Sequence, residues 1–366
     1  MFSIFLSLLL CGVAYGRTIT LTSRALEPQN VPLDDFFRGT DLQWFGNISV
    51  GTPPQEITVV FDTGSRTLEF ASTLCPSCNQ VKFDPSLSST FVDGGRTTSI
   101  TFSTGVGVDP VVGANYKLTL RSATDTVSVA GFQVPNVDLF LITDQTPAFS
   151  IDPFSGIQGM GAQATGLFAG LVAQGLPSLF SLYLTPQAVG NAELTLGGID
   201  ETKFQGDLVF ASLPAAQTGV WRLPSPGISV NGQTTALLST TRNIIFDSGT
   251  SNVLFSTDTT EAIYAFISPD IVPHASEPGT YGIACDKIPS LAAAISIAFT
   301  AQDGHVFELT IPSSELSVGP FADDPTVCQT LINAFDGLDL VGGSLLKHWY
   351  SVWDIGDQRM GFAEVI

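Results

Sequence analysis

The pentapeptide Phe61-Asp62-Thr63-Gly64-Ser65 recurs as Phe246-Asp247-Ser248-Gly249-Thr250, 185 residues later in a chain of 366. A second echo follows each copy. Ile157-Gln158-Gly159 begins 95 residues after Asp62, and Leu340-Val341-Gly342 begins 93 after Asp247. A single Asp-Thr-Gly is an ordinary turn tripeptide. Here there are two copies, each behind an apolar run (Val59-Val60-Phe61 and Ile244-Ile245-Phe246) and each answered by its own Gly motif. Two motifs recurring in order at matched spacing are difficult to get by chance. They predict two structurally similar lobes, and the length accommodates them.

The elements between the echoes read as strands. Short alternating or β-branched runs lie at 47–50, 57–61, 97–102, 117–120, 126–129, 193–196, 244–246 and 350–353. Gly, Pro, Asn, Asp and Ser punctuate them, the rhythm of an all-β protein. With 35 Gly and 22 Pro, long helices are few; short ones are expected at 167–174, 259–267 and 326–334. The expected architecture is all-β, with an N-terminal lobe over 41–205, a C-terminal lobe over 206–366 and a cleft between them. No solenoid or propeller period is present.

Composition narrows the partners. Acidic residues outnumber basic ones 34 to 14, a formal net charge of −20, and the 14 cations form no basic run. That opposes nucleic-acid binding, which needs clustered Lys and Arg. A 44% hydrophobic content with 13% charged residues opposes disorder. Near pH 4 much of the −20 is titrated away, so the excess of carboxylates suits an acidic working environment. Few cations also mean few ion pairs to lose in acid, which predicts a stability maximum not above pH 7.

Residues 2–13 form a short apolar block, followed by Ala14-Tyr15-Gly16 with small residues at the −3 and −1 positions. This reads as a secretory signal peptide over 1–16, although its first segment carries no Lys or Arg. It is too short to span a bilayer comfortably, and the C-terminus carries no anchor signal. The expectation is a secreted, extracellular, monomeric protein. Cys11 leaves with the leader, so four Cys remain, and two disulfides with three connectivities follow. Cys75–Cys78 with Cys285–Cys328 is the simplest, because each pair stays within one half of the chain. A redox or half-zinc reading of Cys75-Pro76-Ser77-Cys78 is disfavoured: no helix is expected to open there, and His274, His305 and His348 show no metal spacing. No metal and no cofactor is expected.

Each repeated Asp ends an apolar strand and enters a Gly turn. Two facing buried carboxylates cannot both ionise cheaply, so they share a proton, and one serves as base while the other remains an acid. Gly64 and Gly249 allow close backbone approach and supply N–H donors. Ser65 and Thr250 are placed to hydrogen-bond the outer oxygens. Such a site activates water against a peptide carbonyl without metal or covalent intermediate. A serine hydrolase reading lacks a Gly-x-Ser-x-Gly elbow and a His partner.

The chain from about Asp41 to Ile366 resembles the pepsin-like, two-lobed eukaryotic aspartic endopeptidases, with the fungal secreted type nearest. Beyond the two Asp motifs, the likeness rests on Phe45-Gly46-Asn47-Ile48-Ser49-Val50-Gly51-Thr52-Pro53-Pro54-Gln55, Phe83-Asp84-Pro85, Ser88-Ser89-Thr90-Phe91, Phe180-Ser181-Leu182-Tyr183-Leu184 and Glu193-Leu194-Thr195-Leu196-Gly197-Gly198-Ile199-Asp200. The ending Trp349-Tyr350-Ser351-Val352-Trp353-Asp354 with Gly361-Phe362-Ala363 also fits. The resemblance implies that Asp62 and Asp247 are the catalytic pair, that Thr63 and Ser248 brace the loops across the lobe junction, and that polypeptides are the substrates, with apolar side chains beside the cut. Its alternative is a catalytically silent relative that binds proteins or glycans through the same cleft.

Several positions depart from the family pattern. The hairpin flap that covers the cleft usually carries Tyr-Gly-Thr-Gly, and here it reads Phe102-Ser103-Thr104-Gly105. The Trp that normally bonds the flap Tyr is Glu69, so both partners of one hydrogen bond have changed together and no orphaned group is expected. The flap is lengthened, with 107–115 as the insertion. Gln158 stands at a usually apolar position, and Ser155 replaces an Asp. Residues 17–40, between the leader and the first matching strand, contain no Lys. Their cations are Arg17, Arg24 and Arg38 alone, so the expectation is a short or absent pro-segment, with Arg24 as the cation of a reduced one. Asn47-Ile48-Ser49 is a glycosylation sequon inside a predicted strand, where an unmodified residue is expected.

Overall fold

A computed structural model of the chain describes residues 26–104, 114–163, 166–215 and 219–366. The leader expected at 1–16, Arg17, Arg24, Gly105 and most of the flap insertion lie outside the described residues. Twenty-five strands dominate the described residues, and every strand expected above lies within one of them or overlaps it. The runs at 117–120 and 126–129 are parts of a single strand, Lys117–Val129. Helices stand at Gly166–Ala173 and Thr257–Ile267, as expected. The helix expected at 326–334 is instead two strands, Val327–Thr330 and Ile332–Ala334. There Cys328 is tied to Cys285, and Gly282, Ile283 and Ala284 pair with Gln329, Cys328 and Val327, so ladder pairing and the disulfide override local helix propensity. No described helix is long and apolar enough to cross a membrane.

A 13-stranded sheet joins the two halves of the chain. Its first strands, in spatial order, are Phe204–Ser212, Arg359–Val365, Trp349–Asp354, Leu179–Tyr183, Ala192–Leu196 and Gln29–Phe37. The sheet continues through Asp41–Val50 and Gln55–Asp62 to the flap hairpin, Lys117–Val129 with Val92–Thr101 at the edge. Part of the segment before Asp41 is therefore woven into the sheet: Gln29–Phe37 pairs with Ala192–Leu196 on one side and with Asp41–Val50 on the other. Three smaller sheets complete the second half.

The two echoes acquire a structural cause here. Val60, Phe61 and Asp62 pair in parallel with Ile157, Gln158 and Gly159, and Leu68–Ala71 lies antiparallel against the far side of that short strand. In the second half Ile245 and Phe246 pair in parallel with Leu340 and Val341, and Val253–Phe255 lies antiparallel against them. In both, the second motif slots between the strand that enters the Asp loop and the strand that leaves it. Its closing Gly is required by space. A Cβ on Gly159 would stand 2.5 Å from Arg66 N, and one on Gly342 would collide with Thr250 O.

Beneath the two loops lies an aromatic cluster. Trp353 stacks on Phe180 at 5.9 Å, and Trp221 meets Trp353 edge-on at 5.3 Å. Trp221 donates its indole N–H to Met160 O (2.8 Å), and its own carbonyl accepts from Phe246 N (2.9 Å). Rigid, large rings thus fix the floor from which both Asp strands emerge. Disulfides Cys75–Cys78 and Cys285–Cys328 each close within one half. Lys347 is buried and pairs at 2.8 Å with both Asp41 and Glu315, tying the first half to the second. Asn47 is exposed on its strand, opposite Thr58.

Candidate active site

The two Asp loops meet at the junction and lock reciprocally. Thr63 N–H donates to Ser248 Oγ (3.0 Å) and Ser248 N–H to Thr63 Oγ1 (2.9 Å). Each hydroxyl then donates across the junction, Thr63 Oγ1 to Phe246 O (3.1 Å) and Ser248 Oγ to Phe61 O (2.6 Å). All four bonds are buried, so these backbone groups of each loop are satisfied by the other loop. This arrangement holds the carboxylates together: Gly64 N–H donates to Asp62 Oδ1 and Gly249 N–H to Asp247 Oδ1, both at 2.8 Å. A Cβ on Gly64 would stand 2.5 Å from Asp247 Cγ, and one on Gly249 would meet Asp62. Only Gly permits the approach.

Asp62 and Asp247 are nearly buried and hydrogen-bond each other. Burial, and then the negative charge of Asp247, hold the Asp62 carboxyl well above the ordinary carboxylate range. Two buried carboxyl groups in contact titrate as a pair with one shared proton. Such a pair can take a proton from water with one oxygen while delivering one with another.

The support of the two carboxylates differs. The Thr250 hydroxyl lies within hydrogen-bonding distance of two acceptors to which it can donate, Asp247 Oδ2 at 2.7 Å and Thr104 Oγ1, on the flap, at 3.0 Å. Ser65 Oγ lies near enough to Asp62 to lower its pKa slightly, yet it is buried with no hydrogen bond of normal geometry. The expected bracing of the outer oxygens is thus present on one side and loose on the other.

Both carboxylates open onto a cleft of about 380 Å³. Its walls include Phe102, Ser103 and Thr104 of the flap, Tyr116 just before the strand Lys117–Val129, and Phe149, Phe154 and Ile157. Phe102 and Tyr116 pack edge-on against Phe149 at 5.8 and 5.3 Å. Phe102 is therefore both strand packing and cleft lining. Gln43 donates its side-chain amide to Gly249 O, a bond across the cleft floor.

Glu69 corrects one expectation. Its exchange for Trp does leave an orphan, because both carboxylate oxygens are buried without a hydrogen bond of normal geometry. Burial raises its pKa to about 8, offset only in part by the nearby Thr67 hydroxyl, so the side chain is neutral in acid. Gln158 is buried and donates to Gly159 O (2.8 Å).

The sequence reading did not find the link from Thr104 to Thr250, the aromatic pair Tyr116 and Phe149, or the Lys347 ion cluster. Each depends on residues far apart in the chain. The only local signal was an unmatched cation, Lys347, inside an apolar run.

The comparisons with known proteins agree with this geometry. The model of the family described as eukaryotic aspartyl protease matches residues 43–365. Pepsin A of Suncus murinus is 31% identical over 366 residues, spanning 94% of this chain and 86% of that protein. Cathepsin E-B of Xenopus laevis is 30% identical over 361 residues (92% and 82%), and rhizopuspepsin-4 of Rhizopus niveus is 30% identical over 339 (89% and 77%). The chain belongs to the eukaryotic aspartyl protease family and is a pepsin-like aspartic endopeptidase.

Proposed function

We propose that Asp62 and Asp247 are the catalytic pair of a secreted, monomeric enzyme that hydrolyses peptide bonds in acid. The observation that carries this reading is the contact between the two buried carboxyl groups facing the cleft, a pair that shares one proton. The ionised carboxylate takes a proton from water as the oxygen attacks the peptide carbonyl carbon. The protonated carboxyl gives its proton to the carbonyl oxygen. The resulting gem-diol collapses when the C–N bond breaks, and a proton from the pair passes to the leaving nitrogen. An extended substrate pairs its backbone with the flap as an added strand. Two lobes, 41–205 and 206–366, form the walls, and a leader cut after Gly16 directs export. The two disulfides favour an oxidising destination.

The test is protein cleavage at pH 3, 5 and 7 by the purified enzyme, with a statine-type inhibitor and with Asp62→Asn and Asp247→Asn. Activity in acid that both variants and the inhibitor abolish is expected. Activity surviving either substitution defeats the assignment of the pair, and a wild-type protein that binds peptides but cleaves none supports a binding-only cleft.

A further inference from the structure

One strand touches both Asp loops. Asp41–Val50 pairs through Phe45 and Gly46 with Val60 and Val59, on the strand that leads into Asp62. Its first three residues reach into the second half of the chain instead. Lys347 Nζ donates to Asp41 Oδ2 (2.8 Å), Ser251 Oγ donates to Leu42 O (2.6 Å), and the Gln43 side-chain amide donates to Gly249 O. Gly249 and Ser251 flank Thr250, so the Asp247 loop is gripped on both sides of the residue whose hydroxyl meets its carboxylate. Among the described residues, no side chain donates in this way to Gly64 O of the first loop.

Gln43 is the member of this grip with an energetic penalty. It is 9% exposed and lines the cleft, and its Oε1 is buried without a hydrogen-bond partner. An apolar side chain of the same size would avoid that unmet acceptor, but would lose the N–H to Gly249 O. Gly249 stands against both carboxyl groups. Its own N–H donates to Asp247 Oδ1 (2.8 Å), and a Cβ there would lie 2.4 Å from Asp62 Oδ1. A shift of Gly249 therefore disturbs the hydrogen bond of Asp247 and the spacing from Asp62 together.

We propose that Gln43 is a positioning residue: it seats the Asp247 loop on the strand that pairs with the Asp62 strand, and so sets the spacing of the two carboxyl groups. The inference rests on the peptidase reading above and adds to it a residue outside both Asp motifs. Gln43 acts through Gly249 and takes no part in proton transfer. Misplaced catalytic groups cost more in the transition state than in substrate binding, so its loss falls on kcat rather than on KM. An amide donates at every pH, whereas a carboxyl in its place donates to a carbonyl only while protonated.

The experiment measures kcat and KM from pH 3 to pH 6 for a peptide that the wild-type enzyme cleaves, in Gln43→Leu and Gln43→Glu. Gln43→Leu is expected to lower kcat about tenfold at every pH, with KM changed less than about twofold. Gln43→Glu should match the wild-type kcat at pH 3 and fall about tenfold below it as the carboxyl ionises, from about pH 4.3 upward. Its recovery at pH 3 shows that the variant is folded, so it carries the test alone if Gln43→Leu does not fold. An unchanged kcat in Gln43→Leu overturns the proposal. So does a lower KM at unchanged kcat, which would make Gln43 a competitor of substrate for Gly249 O. A Gln43→Glu to wild-type ratio that does not vary with pH also overturns it. None of these outcomes touches the catalytic pair, which Asp62→Asn and Asp247→Asn test separately.

Discussion

The Asp62 and Asp247 loops are two answers to one backbone problem. Their main-chain geometry is nearly superimposable in kind: the same parallel strand beside each, the same Gly N–H to each carboxylate, and the same reciprocal bonds through Thr63 and Ser248. Their side chains are not equivalent. Thr250 holds Asp247 and reaches the flap, whereas Ser65 Oγ makes no hydrogen bond of normal geometry to Asp62. Seven residues after each Asp, the first copy buries Glu69 against Ile157, while the second buries Leu254 against Leu340. The difference teaches that the two-fold scaffold is set by the backbone, and that the asymmetry a hydrolysis needs is carried by side chains at matched positions.

The most drastic way to break the comparison is at the shared carboxylates. Asp62→Asn and Asp247→Asn should each lower kcat by about 10²–10⁴-fold, with equal severity because the proton belongs to the pair. A variant that retains most activity would mean that one loop alone does the chemistry.

The next contrast is Glu69 against Leu254. Folding raises the Glu69 pKa from 4.5 to about 8, so the folded state keeps a proton that the unfolded state releases. Its stabilising contribution is complete below about pH 4.5 and is lost as pH rises toward 8, on the order of 4 kcal/mol in total. Asp35, raised to about 8 chiefly by burial beside Asp41, acts in the same direction. Asp41 and Glu315 have lowered values, so their contributions are present above the ordinary carboxylate range and fade in stronger acid. Maximal stability is expected near pH 4–5. Urea melts across pH 3–8 should show a steep loss above pH 5, and Glu69→Leu, which copies the second loop, should flatten it. An unchanged slope in that variant would remove Glu69 from the account.

Thr63→Ala and Ser248→Ala sharpen the symmetric part. Each removes two buried bonds and orphans their partners, so each should cost about 2–4 kcal/mol, and the costs should match. Unequal losses in denaturant melts would show that one loop leans on the other.

The smallest expected effect separates the two hydroxyls. Thr250→Val should lower kcat about tenfold by freeing Asp247, while Ser65→Ala should change it less than about threefold. Equal effects would erase the proposed asymmetry.

Much of this was legible before any coordinates. The duplicated Asp motif and its answering Gly motif prescribed the pair, its supporting Thr63, Ser248, Gly64 and Gly249, and two similar β-rich lobes. Disulfide partners were legible because each pair is local to one half. Other features were not. The stretch 326–334 has helix-like composition, and only pairing with Tyr281–Ala284 and the Cys285 bridge makes it strand. Nothing local marks Gln29–Phe37 as an internal strand, because its partner Ala192–Leu196 lies far along the chain.

The amino-acid order by itself determined the carboxylate pair, because such a pair needs only two short motifs repeated at the same place in two lobes. The tertiary structure alone decided the environment of each group. Glu69 becomes an orphan that is neutral in acid, and Lys347 is clamped between Asp41 and Glu315. Desolvation and charge proximity depend on which distant segments pack around a side chain, and no local spacing encodes that.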